Sequence, residues 1–256
     1  PVRTLRGELV SDFQPADHPW HHGIAWAFTY INGSNFWGGP TFERATGAYA
    51  QKKIHGRQLH IEWKPTIHAD PNRCILDHTV QWRAASGENL LIEHRQITAR
   101  GVNTQCWAIS FDSTFVNNTA EDLVMASPVC EGRPEGGYFG LMWRGAATWR
   151  YGRIYGPPPL SREVMGQAAP WIAYESLPIV GNSCTLLFVD DPLNPRYPTR
   201  WFARSGEQPL VSFALAYAEP FGLLAGQSFR LRYNLAVLDG VLSPGEASII
   251  ADALLH

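Results

Sequence analysis

Residues 106–115, Cys106-Trp107-Ala108-Ile109-Ser110-Phe111-Asp112-Ser113-Thr114-Phe115, alternate between two faces. Trp107, Ile109, Phe111 and Phe115 fall on one side, and Ala108, Ser110, Asp112 and Thr114 on the other. A period of two, rich in aromatic and β-branched side chains, marks a half-buried strand rather than a helix. The same pattern recurs at 59–63 (LHIEW), 79–83 (TVQWR), 184–189 (CTLLFV), 210–216 (LVSFALA) and 229–238 (FRLRYNLAVL). Between these runs stand turn signals such as Ser86-Gly87-Glu88-Asn89, Val116-Asn117-Asn118-Thr119 and Pro192-Leu193-Asn194-Pro195, spaced as antiparallel connections are. The expected fold is therefore all-β, an antiparallel sandwich of the supersandwich or jelly-roll kind.

One helix is expected, at the C-terminus. Ser243-Pro244-Gly245-Glu246 offers an N-cap, a proline at the first helical position and a capping-box glutamate ahead of Ile249, Ile250, Leu254 and Leu255. No internal repeat, low-complexity tract or long linker divides the chain, and Pro157-Pro158-Pro159 reads as a rigid surface loop. Residues 1–256 are expected to form one domain. Because the sequence opens on Pro1 rather than Met, a preceding N-terminal segment is expected.

Of 256 residues, 45% are hydrophobic and 17% charged, and the formal net charge is −2. Such a composition folds around a core, and with no Lys or Arg run it argues against nucleic acid and anionic membranes as partners. No apolar stretch approaches the roughly 18–20 residues of a membrane helix. Cys74, Cys106, Cys130 and Cys184 lie far apart without a C-x-x-C pair, which favours thiols over disulfides or zinc and a cytoplasmic location.

Eight of the nine histidines precede residue 95. The densest group is Asp17-His18-Pro19-Trp20-His21-His22-Gly23, where Pro19 and Gly23 favour a bent backbone that converges polar groups. Imidazole suits proton transfer near neutral pH and, unprotonated, also binds divalent metals. His18, His21 and His22 are candidate catalytic groups. A divalent metal is the one cofactor these residues suggest, with His18 or His22 joined by His60 and Glu62, which alternation places on one strand face.

A glycine-rich segment, residues 131–145, holds Glu131, Arg133 and Arg144. Its glycines let backbone approach a ligand, and its arginines suit hydroxyls or carboxylates. Among ten tryptophans, Trp63, Trp82 and Trp107 read as core. Trp20, Trp37 and Trp201, beside Asp17, Asn35 and Arg200, suit the C–H face of a sugar ring. Glu93 and Arg95 share a strand face as an ion pair or ligand contact, and Glu219, at a strand end, or Glu131 is the candidate catalytic base. No G-x-S-x-G, P-loop or H-E-x-x-H occurs.

Several motifs together resemble a bacterial family named PmoA-like. They are Pro1-Val2-Arg3-Thr4, the 17–23 segment, Asn35-Phe36-Trp37-Gly38-Gly39-Pro40-Thr41 and residues 131–145. Ala169-Pro170-Trp171, Phe188-Val189-Asp190-Asp191-Pro192, Arg200-Trp201-Phe202, Leu231-Arg232-Tyr233 and Asp239-Gly240 extend the match along nearly the whole chain. The resemblance implies a companion of sugar oxidoreductases and carbohydrate catabolism, not the membrane activity in the family's name. Glu219-Pro220 with Leu224-Ala225-Gly226-Gln227 is also similar to the region of galactose-mutarotase-like proteins that carries a glutamate base, although no matching histidine motif accompanies it.

The expected function is acid–base chemistry on a sugar or sugar-derived ring: epimerisation, elimination or hydrolysis. A non-catalytic carbohydrate-binding sandwich and a metal-dependent oxygenase or lyase are the alternatives. The expected partner is a small carbohydrate, and a homodimer is compatible with the chain.

Overall fold

The strand read first, Cys106–Asn117, lies near the middle of the larger of two facing sheets. The computed structural model describes residues 1–64, 68–160, 163–177 and 181–256. Among them, nine antiparallel strands form the large sheet, in the order Arg153–Tyr155, Trp171–Glu175, Cys184–Asp190, Ser228–Asp239, Cys106–Asn117, Asn89–Asn103, Arg73–Arg83 and Arg57–Trp63, with His68–Asp70 also pairing on Arg73–Arg83. The small sheet runs Ile24–Ala27, Gly140–Arg144, Leu210–Phe213, Trp201–Arg204. The all-β sandwich expected from the sequence is thus the observed architecture.

Alternation decides what lies between the sheets. Leu231, Tyr233, Leu235 and Val237 point inward from Ser228–Asp239, and Leu141, Trp143, Trp201, Val211 and Phe213 point inward from the small sheet. Burying each such side chain contributes roughly 1.5–3 kcal/mol, so this shared layer dominates stability. The opposite face of the large sheet, with Ala173, Leu187, Val189 and Ala236, shares a second apolar cluster with Ala247, Ala251 and Leu254 of the helix Pro244–Leu254, which packs on Trp171–Glu175 and Cys184–Asp190. That helix starts on the expected capping box: Ser243 accepts from the Glu246 amide, and the Glu246 carboxylate accepts from the Ser243 amide.

A buried polar group sits inside the sandwich. Glu93 is fully enclosed and accepts from Arg95 Nε and Nη2 (both 2.7 Å), Trp82 Nε1 (2.8 Å) and Ser113 Oγ (2.7 Å). The Glu93/Arg95 pair is therefore an internal brace rather than a ligand contact. All four cysteines are free; Cys106 and Cys184 are buried and Cys74 and Cys130 half-buried. Trp82 is core and Trp107 half-buried, but Trp63, expected in the core, is 53% exposed on the edge strand Arg57–Trp63. No described helix is long and apolar enough to cross a membrane.

Candidate functional site

The outward face of the small sheet carries what its inward face cannot. On Gly140–Arg144, Leu141 and Trp143 enter the core, so Met142 and Arg144 face away. On Trp201–Arg204, Trp201 and Ala203 enter the core, so Phe202 and Arg204 face away. These outward residues would meet water, but the loop around 17–22, the turn 35–40 and Tyr138 lie over them. Arg144 is consequently only 2% exposed.

The covering loop is held by its own backbone: His18 N donates to Pro15 O, His21 N to His18 O, and Gln14 N to His21 O. Arg144 Nη2 donates to both oxygens of Asp17, at 3.1 and 2.9 Å. Partial burial works to raise the Asp17 pKa, but the hydrogen bonds from His18 and Arg144 outweigh it and hold the carboxyl at about 2. Asp17 Oδ2 lies 2.8 Å from His18 Nδ1, so the carboxylate assigns the proton of neutral His18 to Nδ1 and leaves Nε2 as its basic nitrogen. Burial lowers the His18 pKa, with the nearby Asp17 pulling the other way.

His21 stacks on His18 with ring centroids 4.8 Å apart and lies 5.2 Å from the Trp37 ring. It is 1% exposed, and neither ring nitrogen has a partner. Burial first, then the charges of His18, Arg144 and Arg204, push its pKa down to about 3. His21 is therefore a neutral packing ring behind His18.

Aromatic side chains form the walls. Trp20 and Trp37 meet at 77° with centroids 6.0 Å apart, Trp37 and Tyr138 lie at 4.8 Å, and Tyr138 and Phe202 at 5.5 Å. The Tyr49 and Tyr138 hydroxyls are 2.9 Å apart. Burial pushes the Tyr138 phenol far above its ordinary range, so it keeps its proton. Two glycines make this packing possible: a Cβ on Gly38 (φ +95) would lie 2.7 Å from the Trp20 Cβ, and one on Gly39 would lie 2.5 Å from the Trp37 ring. Asn35, fully buried, fixes the turn by accepting from the amides of Trp37 and Gly38 and donating to Gly39 O and Thr41 Oγ1.

Asp17, His18, Trp20, Trp37, Tyr49, Arg133, Tyr138, Phe202, Arg204 and Gln208 line one cavity of about 390 Å³. Arg204 Nη2 donates to Gln208 Oε1 at 2.7 Å, and Gln208 Nε2 lies 3.4 Å from His18 Nδ1. Arg133 lies over the Tyr49 ring at 4.9 Å. A larger open hollow of about 1220 Å³ shares Arg204, but it contains neither the histidines nor the tryptophans.

Other expected site residues lie elsewhere. His22 is exposed and lines a separate hollow with Phe13, Gly23 and Trp26. Glu131 is 3.8 Å from Arg44, outside the cavity. Glu219 is exposed, with its backbone oxygen accepting from Arg196, so it is not a base opposite the histidines. Arg200 is exposed and donates to Gly166 O, while Trp201 is a fully buried core residue donating to Ala169 O rather than a sugar platform. The glycines of 131–145 make room for side chains: a Cβ on Gly136 would strike Arg133 at 2.9 Å, and one on Gly137 would strike Tyr217 at 2.2 Å.

The expected metal set is not assembled. A bulge between His60 and Glu62 undoes their alternation: His60 meets His78 while Glu62 meets Lys64 and the neighbouring Thr79. Both lie on the edge strand Arg57–Trp63, and among the described residues no three His, Cys, Asp or Glu converge to hold a metal. The side chain of His68 lies outside the described residues.

Five polar or aromatic lining residues, Tyr49, Tyr138, Phe202, Arg204 and Gln208, have no role in the sequence reading. Tyr138 and Phe202 stand within motifs of the resemblance, and Arg204, two positions beyond Phe202 on the same strand, shares its face by alternation. Tyr49 and Gln208 carried no local signal.

A family model described as "Family of unknown function (DUF6807)" matches residues 1–252. No curated protein matches. A solved structure named "Polysaccharide Lyase BACCELL_00875" is similar over 67% of this chain at 9% identity and a TM-score of 0.32, and the match spans a quarter (25%) of that protein's length. The chain therefore belongs to the family of unknown function DUF6807.

Proposed function

We propose that this member of a family of unknown function binds a sugar ring in the aromatic-walled cavity and moves a proton at one of its carbons, with His18 as the base. The observation that carries the reading is the hydrogen-bonded series Arg144–Asp17–His18, which opens on a cavity walled by Trp20, Trp37, Tyr138 and Phe202. A carboxylate anchored by a buried arginine orients the imidazole, and burial keeps that imidazole neutral and ready to accept a proton at Nε2. Indole and phenol faces suit the C–H face of a pyranose, and Gln208 with the protonated Tyr138 hydroxyl suits its oxygens.

Epimerisation and elimination both begin with the abstraction this site supports. His18 Nε2 takes the proton, and the electron pair stays on the ring carbon. The pair then either recaptures a proton or forms a double bond as a leaving group departs. Glycoside hydrolysis ordinarily uses two carboxylates flanking the bond, whereas among the described residues Asp17 is the one carboxylate lining the cavity and is engaged by Arg144 and His18. The resemblance to PmoA-like proteins, companions of sugar catabolism, points to the same substrate class.

The test is a panel of glycosides and sugar acids assayed with purified protein. His18→Gln is expected to lower kcat by about 10²–10⁴-fold with KM little changed, while Trp37→Ala raises KM. Full turnover in His18→Gln would remove the base. A non-catalytic carbohydrate-binding role, favoured by the aromatic walls, is the second reading. It expects ring binding in both wild type and His18→Gln, with turnover in neither.

A further inference from the structure

The charges lining the cavity do not balance. Among the described residues, two guanidinium groups, Arg133 and Arg204, line it, and the one lining carboxylate, Asp17, is already committed to Arg144 and His18. Among the described residues, neither Arg133 nor Arg204 pairs with a carboxylate. Arg204 is the more telling of the two. Its Nε is buried without a partner, and its one hydrogen bond goes to the neutral amide of Gln208. Arg133 stacks on Tyr49 and packs against Gly136, which fixes its guanidinium by aromatic and steric contact rather than by an acid. Both residues are half-buried, and holding two guanidiniums beside one another with partial loss of water and no counter-charge costs stability that an entering anion would restore. A fold that needed these arginines only for packing would gain from a neutral side chain at either position.

We propose that the ring bound here carries a carboxylate, so that the substrate class is a uronate-type sugar acid held by Arg133 and Arg204. This inference rests on the sugar-ring reading above and makes it more specific. Planar guanidinium forks match carboxylate oxygens two by two, and such charge-assisted bonds are about twice as strong as neutral ones. The same contact serves the chemistry. A ring C–H next to a carboxylate becomes acidic enough for an imidazole only when the carboxylate's negative charge is offset, because abstraction places a second negative charge on the same group. With Arg133 and Arg204 on the carboxylate, the proton goes to His18 Nε2 and the electron pair delocalises onto oxygens that the guanidiniums already hold. A sugar phosphate would satisfy the charges equally well, but it would acidify no ring carbon.

Calorimetric titration with matched pairs tests this: the methyl glycosides of glucose, galactose and mannose against the methyl glycosides of the corresponding uronates, with glucose 6-phosphate as a third arm. At least one uronide is expected to bind about tenfold or more tighter than its neutral parent, a difference of about 1.4 kcal/mol or more, because its bonds to the guanidiniums are charge-assisted. Arg204→Gln and Arg133→Gln should each erase most of that ratio, read within each variant against its own affinity for the neutral parent, and thermal melting reports whether each variant is folded. The wild-type ratio stands even where a variant does not fold. Neutral parents binding as tightly as their uronides would overturn the carboxylate inference and leave the sugar-ring reading intact. Tighter binding of glucose 6-phosphate than of every uronide, or a ratio unchanged in both folded variants, would also overturn it. Absence of binding by every ring would overturn both.

Discussion

His18, His21 and His22 occupy three of five successive positions and end in three environments: the cavity wall, the packed interior and the exposed rim of another hollow. Composition could flag the cluster, but only the loop's backbone hydrogen bonds decide which ring goes where, and those depend on what Arg144 offers from beneath. His21 yields a prediction of its own. Its folded pKa, near 3, is below the ordinary histidine value of 6.5, so unfolding takes up a proton between those pH values. Its contribution to stability is complete above about pH 6.5 and is lost as pH falls toward 3. His21→Phe keeps a stacked ring and removes the proton. Between pH 5 and 6.5 the wild type should lose up to about 1.4 kcal/mol per pH unit from this residue, and urea titrations of His21→Phe should show a correspondingly shallower slope. Equal slopes in the two proteins would place a charged or solvated imidazole there instead.

At the scale of elements, alternation was readable and its interruptions were not. The period of two located the strands, and it would also have paired Phe202 with Arg204. It misplaced His60 and Glu62, because a bulge shifts the register between them, and a bulge leaves no mark in the side-chain pattern. In the turn at Asn35–Pro40 the glycines matter as much as the Trp37 indole. On Gly39 a Cβ would sit 2.5 Å from the Trp37 ring, so Gly39→Ala must displace Trp37 or bend the turn, at about 1–3 kcal/mol. Because this wall lies outside the sandwich core, the expected result is a loss of sugar affinity of about tenfold or more in a protein that still melts cooperatively. Calorimetry and thermal denaturation on one preparation check both halves, and unaltered affinity would show that Trp37 is not a platform.

Across the whole molecule, the fold class was legible but the strand order was not. Ser228–Asp239 pairs with Cys106–Asn117 on one side and with Cys184–Asp190 on the other, and long-range pairing of this kind has no local signature. The site inherits its rigidity from the same layers. Phe213 of the small sheet stacks on Tyr233 of the large one at 4.0 Å, directly behind the outward face that carries Phe202 and Arg204. Phe213→Ala should cost about 3–5 kcal/mol in denaturant unfolding, with one transition for both sheets. Two separate transitions would mean that the small sheet and its cavity fold apart from the rest. The proposed activity comes down to one event, a proton leaving a ring carbon for His18. Proton NMR in heavy water follows it directly, with neutral sugars and sugar acids incubated beside wild type and His18→Gln. The expected result is the loss of one ring C–H signal, with or without a new alkene signal, slowed by about 10²-fold or more in the variant. Exchange at the same rate in both proteins, or none with any ring, would contradict it.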